Sequence, residues 1–251
     1  MTAGELRLQA TGLVAGYDGV PVLRGLDLEV RAGEVVALLG PNGAGKTTTL
    51  LCISGLLPVL GGSLDVLGSA PSTRRPVSVA RRGVAHVPED RSLFAQLTVR
   101  ENLRLGGHRT GADPLTVLEW FPALEPLLDR QAGLLSGGEQ QMLAVGRALA
   151  SEPKLLLVDE MSLGLAPIIV ERLLPVMRRV ARETGAGVLL VEQHVHLALE
   201  VADRAYLLRH GEVVASGSAD DLAEQAHLLE ASYLGADAPD HLDPESDRSN
   251  S

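Results

Sequence analysis

At 251 residues the chain suits one large α/β domain, or one domain with a subdomain, and 45% hydrophobic residues are enough for a sizeable core. A formal net charge of −10 argues against a general affinity for phosphate backbones, and 2% aromatic residues leave no stacking platform for single-stranded bases. No nucleic-acid partner is therefore expected. The single cysteine, Cys52, has no internal disulfide partner and reads as a small buried thiol.

Met1–Glu5 lacks the charged and apolar regions of a signal peptide. No uninterrupted apolar run approaches the ~20 residues that span a bilayer. Leu50–Leu60 comes nearest, but Ser54, Gly55 and Pro58 break it. A cytosolic chain is expected, one that serves a membrane only by docking onto something else.

Leu6–Glu29 holds alternating or apolar stretches cut by Gly16, Gly19 and Gly25, which predicts antiparallel strands. Glu34–Leu39 is a continuous apolar run after one acid and suits a strand buried on both faces. A helix is predicted from Lys46 to Gly55, with Gly61-Gly62 ending that unit. Gly83–Val87 reads as another short buried strand. Thr98–Arg130 mixes helical patterns with three prolines and is expected to form a small helical subdomain. Gly137–Ala150 spaces Met142, Leu143, Val145, Ala148 and Leu149 as a helix does.

Leu155–Val158 is predicted as a strand, and Pro167 is well placed to start a helix reaching about Glu183. Pro175 inside it should kink or divide it. Val188–Val191 is another buried strand, and His210-Gly211 between Tyr206–Arg209 and Glu212–Ala215 signals a hairpin. Asp220–Ala231 reads as a closing helix. From Ala236 onward the chain is rich in Asp, Pro and Ser, so 236–251 is expected to be a disordered acidic tail.

The segment Gly40-Pro41-Asn42-Gly43-Ala44-Gly45-Lys46-Thr47-Thr48 sits between a strand and a helix. Its glycines let backbone N–H groups curl around phosphate, and the helix start adds a favourable dipole. Lys46 supplies a point charge for the β- and γ-phosphates, and the Thr47 hydroxyl is the Mg²⁺ ligand of this pattern. Asp159 ends an apolar strand, where a carboxylate can hold Mg²⁺ or a water on it. Glu160 points the other way if the strand continues.

Downstream lies Leu134-Leu135-Ser136-Gly137-Gly138-Glu139-Gln140-Gln141. The phosphate loop, this segment and the strand ending in Asp159-Glu160 occur in one short chain, in that order. Together they resemble the ATP-binding cassette (ABC) family, over about Leu6 to Gly235. The resemblance implies an α/β fold: a P-loop ABC ATPase core, an antiparallel β subdomain and a small helical signature subdomain at about 92–150, within one ABC domain spanning 1–235. It implies ATP and Mg²⁺ as cofactors, Glu160 as the base that polarises the attacking water, and Tyr17 as the aromatic that stacks on adenine. It further implies that Ser136, Gly137, Gly138 and Glu139 serve the nucleotide of a second cassette packed head to tail, a paralogue or another copy.

Two positions depart from the commonest ABC pattern. Val87-Pro88-Glu89 puts Glu89 where Gln usually touches Mg²⁺ and water, and Val191-Glu192-Gln193 puts Gln193 at the switch position usually held by His. His194 falls one residue later, a shift that reverses side-chain direction near a strand end, so Gln193 and His194 both stand as switch candidates. Met161 replaces the Pro that usually follows the catalytic Glu.

The departures, with Leu97-Thr98-Val99, Glu101-Asn102-Leu103 and Ser162-Leu163-Gly164-Leu165-Ala166-Pro167, resemble an ATPase subunit of the branched-chain amino acid importers. That class implies permease subunits and, indirectly, a substrate-binding protein, with the chain on the cytoplasmic face of the membrane. A urea or amide importer ATPase is a close alternative. A non-transport ABC ATPase would be expected to carry a second cassette, coiled-coil insertions or basic extensions, none of which is present. A regulatory module without turnover is disfavoured by Lys46, Asp159 and Glu160 but kept open by Glu89 and Gln193.

Overall fold

The computed structural model describes residues 4–107, 111 and 113–224. Leu6–Tyr17 (β1) and Val20–Arg31 (β2) form an antiparallel hairpin across Asp18-Gly19. Both turn residues have positive φ, 51° and 79°, which matches the right-handed twist of the flanking strands. Then come Val35–Leu39 (β3), Lys46–Ile53 (α1), Val59–Val66 (β4), Pro76–Arg81 (α2), Val84–Val87 (β5) and Val99–Gly107 (α3). Three short 3₁₀ turns between Pro114 and Leu134 lead to Gly137–Leu149 (α4) and Leu155–Asp159 (β6). The chain continues through Pro167–Thr184 (α5), Gly187–Glu192 (β7), Val195–Leu199 (α6), Arg204–Arg209 (β8), Glu212–Ser218 (β9) and Ala219–Glu224 (α7).

Among the described residues there are two sheets. One is antiparallel, in the order β2-β1-β4. The other runs β5-β6-β7-β3-β8-β9, parallel as far as β8 and antiparallel at the β8–β9 edge. The central strands are buried on both faces, so alternate residues enter two different cores. Val35, Ala37, Leu39, Leu156, Val158, Val188 and Leu190 pack toward α4 and α5. Val36, Leu38, Leu155, Leu157, Leu189 and Val191 pack toward α1 and the antiparallel sheet. Cys52 is fully buried in this second core, and desolvation pushes its thiol up to about 11. It is a packing residue, as expected.

Three local expectations need correction. Gly61-Gly62 does not end the phosphate-loop unit: β4 runs through both glycines to complete the antiparallel sheet, with Gly61 opposite Val14. Of the kink or division expected at Pro175, division does not occur, for α5 is one element of 18 residues. Its apolar stripe of Leu173, Leu174, Val176, Met177, Val180 and Ala181 is buried on both sides of the proline, and that packing carries the helix across the missing N–H. The strand before Glu160 stops at Asp159, so alternation along a strand is not what orients Glu160. The closing helix is described only to Glu224, and the expected tail at 236–251 lies outside the described residues.

Candidate functional site

The side-chain period of the parallel strands decides which carboxylates can meet the phosphate loop. Asp159 shares its face with Leu155 and Leu157, the face turned toward α1. It is 3% exposed, and its Oδ2 accepts a hydrogen bond from Thr47 Oγ1 at 3.3 Å. Its other oxygen, Oδ1, is buried with no hydrogen-bond partner among the described residues. Burial first, then the Glu160 charge, push the Asp159 carboxyl up to about 6. Glu89 pushes the same way, while the Thr47 hydrogen bond and the Lys46 charge oppose.

The loop before α1 has its shape because glycine allows it. Gly45 caps the helix at φ 111° with no side-chain cap, and a Cβ there would lie 2.6 Å from Leu23 Cδ2. The first-turn N–H groups of α1 thus meet no capping side chain. Lys46, 4% exposed, reaches back to donate to the carbonyls of Gly40 at 2.8 Å and Pro41 at 3.1 Å. Its ammonium also stands 3.4 Å from Glu160 Oε1.

Glu160 adopts φ 45°, a left-handed conformation costing on the order of 1–3 kcal/mol for a non-glycine residue. Its N–H donates to Val191 O at 2.9 Å, which anchors the turn to β7. Gln193, just past β7, donates from Nε2 to Glu160 Oε2 at 2.6 Å. His194 is exposed and immediately precedes α6 as its N-cap. Of the two switch candidates, the structure brings Gln193 to Glu160.

A cleft of about 470 Å³ opens over these groups. Tyr17, Asn42, Gly43, Gly45, Lys46, Thr47, Thr48, Glu89, Glu160 and Gln193 line it, with Val22 and Leu163, which sequence reasoning did not assign. Gly40, Pro41, Ala44 and Asp159 are not among the lining residues: the Gly40 and Pro41 carbonyls accept from Lys46, Asp159 accepts from Thr47, and Ala44 is buried. Ser136, Gly137, Gly138 and Glu139 do not line it. They form the start of α4 as a reciprocal capping box: Ser136 Oγ accepts from Glu139 N at 3.4 Å, and Glu139 Oε2 accepts from Ser136 N at 2.7 Å.

Sequence reasoning also missed Glu192. It lies on the opposite face from Asp159, with Val188 and Leu190, and is 1% exposed. Its carboxylate accepts from Ser162 N at 3.0 Å and from Ser162 Oγ at 2.5 Å. Burial raises its pKa against those bonds. This ties the end of β7 to the loop that follows Glu160. Met161 is buried in the core, at 1% exposure.

The cleft suits a polyphosphate. One buried ammonium, a helix start and a glycine-shaped loop face it, with a base candidate at its wall. The comparisons agree. The ABC transporter family profile matches residues 23–162. The high-affinity branched-chain amino acid transport ATP-binding protein BraG of Pseudomonas aeruginosa is 43% identical over 224 residues, covering 87% of this chain and 95% of that one. The lipopolysaccharide export system ATP-binding protein LptB of Escherichia coli K12 is 34% identical over 238 residues, 92% of this chain and 98% of the other. A solved ATP-binding subunit of an ABC transporter superposes with a TM-score of 0.76 at 33% identity, covering 91% of this chain and 96% of that one. With the phosphate loop, the carboxylate pair and these matches together, the chain belongs to the ABC transporter family and is an ATP-binding, ATP-hydrolysing subunit of a transporter.

Proposed function

We propose that this subunit powers import of branched-chain or related amino acids, and that Glu160 is the general base of its ATPase reaction. The observation that carries the catalytic part is the placement of the Glu160 carboxylate between Lys46 and Gln193 at the wall of the cleft. Lys46 neutralises phosphate charge, Tyr17 offers a face to the adenine, and Gln193 orients Glu160. A carboxylate held by an ammonium on one oxygen and an amide on the other has its direction fixed before substrate arrives.

The same site fits Mg²⁺. Asp159 Oδ1 is buried and unpartnered among the described residues, the Thr47 hydroxyl faces its other oxygen, and the charges of Glu160, Glu89 and Lys46 all act on the Asp159 carboxyl. Thr47 and Asp159 would hold the ion, with Glu89 at its edge. Bound there, it would neutralise charge on the β- and γ-phosphate oxygens.

Residues 136–139 do not line their own chain's cleft. We assign them to the ATP of a second cassette, a paralogue or another copy, in a head-to-tail dimer. In this reading 1–235 is one ABC domain, 92–150 its helical subdomain, and the pair sits on permease subunits at the cytoplasmic face. Among the described residues no helix is long and apolar enough to cross a membrane.

The import assignment rests on BraG at 43% identity against 34% for LptB, and on the residues around Glu89, Ser162 and Gln193. Disrupting the gene and measuring uptake of radiolabelled leucine, and of urea in parallel, tests it. Leucine uptake should fall and return with the wild-type gene but not with Lys46→Ala. Loss of urea uptake alone would favour the amide importer. Normal uptake of both with altered surface lipopolysaccharide would replace import by export.

A further inference from the structure

The segment after β5 carries a link that the nucleotide cleft does not use. Arg91 N donates to Pro88 O at 2.9 Å, closing a four-residue turn with Glu89 and Asp90 at its corners. Glu89 lines the cleft. Arg91 and Ser92 follow with φ of 64° and 43°, two successive left-handed non-glycine residues. Such backbone persists only where its surroundings over-determine it. Asp90 Oδ1 accepts from Ser92 N at 3.0 Å and from Ser92 Oγ at 2.7 Å. Arg147 Nη2 donates to Arg91 O at 3.4 Å, and its guanidinium stacks over Phe94 at 5.6 Å.

The Arg91 side chain then crosses to the first turn of α4. Nε donates to Gln141 Oε1 at 2.9 Å, and Nη1 donates to Gln140 Oε1 at 3.0 Å. Gln141 is 3% exposed, so its amide oxygen depends on this donor. The guanidinium also lies beside Gly137, where a Cβ would stand 3.7 Å from Arg91 Nη2. A planar fork bonded to two neighbouring amides fixes both distance and direction, which a single ammonium does not. Glu89 in the cleft and the Ser136–Glu139 turn are thus joined by one β-turn and one guanidinium.

We propose that Arg91 is a positioning residue: it sets the orientation of the first turn of α4 according to what occupies the cleft at Glu89. This rests on the reading that residues 136–139 meet the ATP of a second cassette. Arg91 does not line the cleft. It makes a chain's readiness to clamp its partner's ATP depend on its own.

The test uses the full-length chain carrying Glu160→Gln, so that ATP with Mg²⁺ stays intact. At protein concentrations where light scattering shows only monomer, ATP should change hydrogen exchange in peptides covering 134–142. Arg91→Ala should abolish that change while the ATP dissociation constant stays put, and the melting temperature should fall modestly because the buried Gln141 oxygen loses its donor. Arg91→Lys should retain part of it. Gln140→Ala with Gln141→Ala should match Arg91→Ala, and adding Arg91→Ala should do nothing more. At higher concentration, Arg91→Ala should raise the ATP needed for half-maximal dimerisation by about 5- to 150-fold, the span of a typical coupling between two sites.

No exchange response in the Glu160→Gln parent overturns the proposal. So does a full response in Arg91→Ala, or a loss that follows a fall in ATP affinity, which marks a merely structural residue. If the Glu160→Gln parent never dimerises with ATP, the two-cassette reading fails, while the exchange result still decides whether the cleft and α4 are tied.

Discussion

Gln193 donates its amide to the same carboxylate that faces Lys46, so Glu160 is held from both sides. Removing the amide frees one oxygen of the proposed base and should let the side chain turn away from the cleft. Gln193→Ala should therefore slow hydrolysis by roughly 10- to 150-fold, from the ~1.5–3 kcal/mol carried by a hydrogen bond to a charged group. His194→Ala should do little, because that ring is exposed at the start of α6. Gln193→His should keep activity, since imidazole offers a donor in about the same place. Steady-state ATPase assays on the assembled complex check all three. A crippled His194→Ala beside a normal Gln193→Ala would move the switch by one residue.

Glu160→Gln should bind ATP and turn it over about 10²- to 10⁴-fold more slowly, the range that general base catalysis supplies. An ATP-held dimer should then accumulate and elute early in size-exclusion chromatography. Turnover at the wild-type rate would assign the base to another group.

Lys46→Ala should lower hydrolysis by at least about 10²-fold, because it removes a preorganised charge aimed at the phosphates. ATP binding should weaken in parallel, as measured by calorimetry. The Gly40 and Pro41 carbonyls that now accept from Nζ would also lose their donor, so the loop itself should become more exchangeable with deuterium.

The raised Asp159 carboxyl gives a pH test with a definite sign. Its folded value of about 6 lies above the 3.8 expected without the fold, so the folded chain holds this proton more tightly than the unfolded one. Its contribution to stability is complete below 3.8 and is lost as pH rises to about 6. The loss amounts to roughly 3 kcal/mol at 1.36 kcal/mol per unit. Asp159→Asn should thus melt higher than wild type in the absence of nucleotide. The gap should widen from pH 4 to pH 6 and then level off, and Mg²⁺ with ATP should close or reverse it. A gap independent of pH would remove Asp159 as its cause.

Tyr17 is 46% exposed at the end of β1, so its ring contributes little to the core. Tyr17→Ala should leave the melting temperature near wild type and weaken ATP binding by about 5- to 150-fold, from ~1–3 kcal/mol of lost base stacking. An unchanged dissociation constant would leave Tyr17 with no share in the nucleotide site.

Much of this site was legible because its signals are local. The glycines around Lys46 state the loop's shape, and the two-residue period of a buried strand puts Asp159 on the same face as Leu155 and Leu157. Glu160 was legible as a residue but not as a direction. The strand ends before it, and its left-handed turn is anchored by a carbonyl of β7. Glu192 and Arg91 were out of reach because their partners are 30 and 50 positions away along the chain. Only the assembled sheet and helices bring them together. Gly61-Gly62 misled for a related reason: two glycines look like a stop, yet a partner strand can carry backbone that propensity alone would break.

The capping box at Ser136 leaves that hydroxyl in a particular state. As a cap it is an acceptor, taking the N–H of Glu139, so its own hydrogen remains free to point away from the helix. In the proposed two-cassette arrangement one side chain would therefore hold α4 together and still present a donor to a phosphate oxygen of the second cassette's ATP. The two tasks come apart on substitution. Aspartate at 136 would cap as well, yet would meet the phosphate with a negative charge and no hydrogen to give. Helix stability thus permits several residue types at this position, but in the proposed two-cassette arrangement only an uncharged cap that keeps a hydrogen to donate, a hydroxyl or an amide, would serve both tasks.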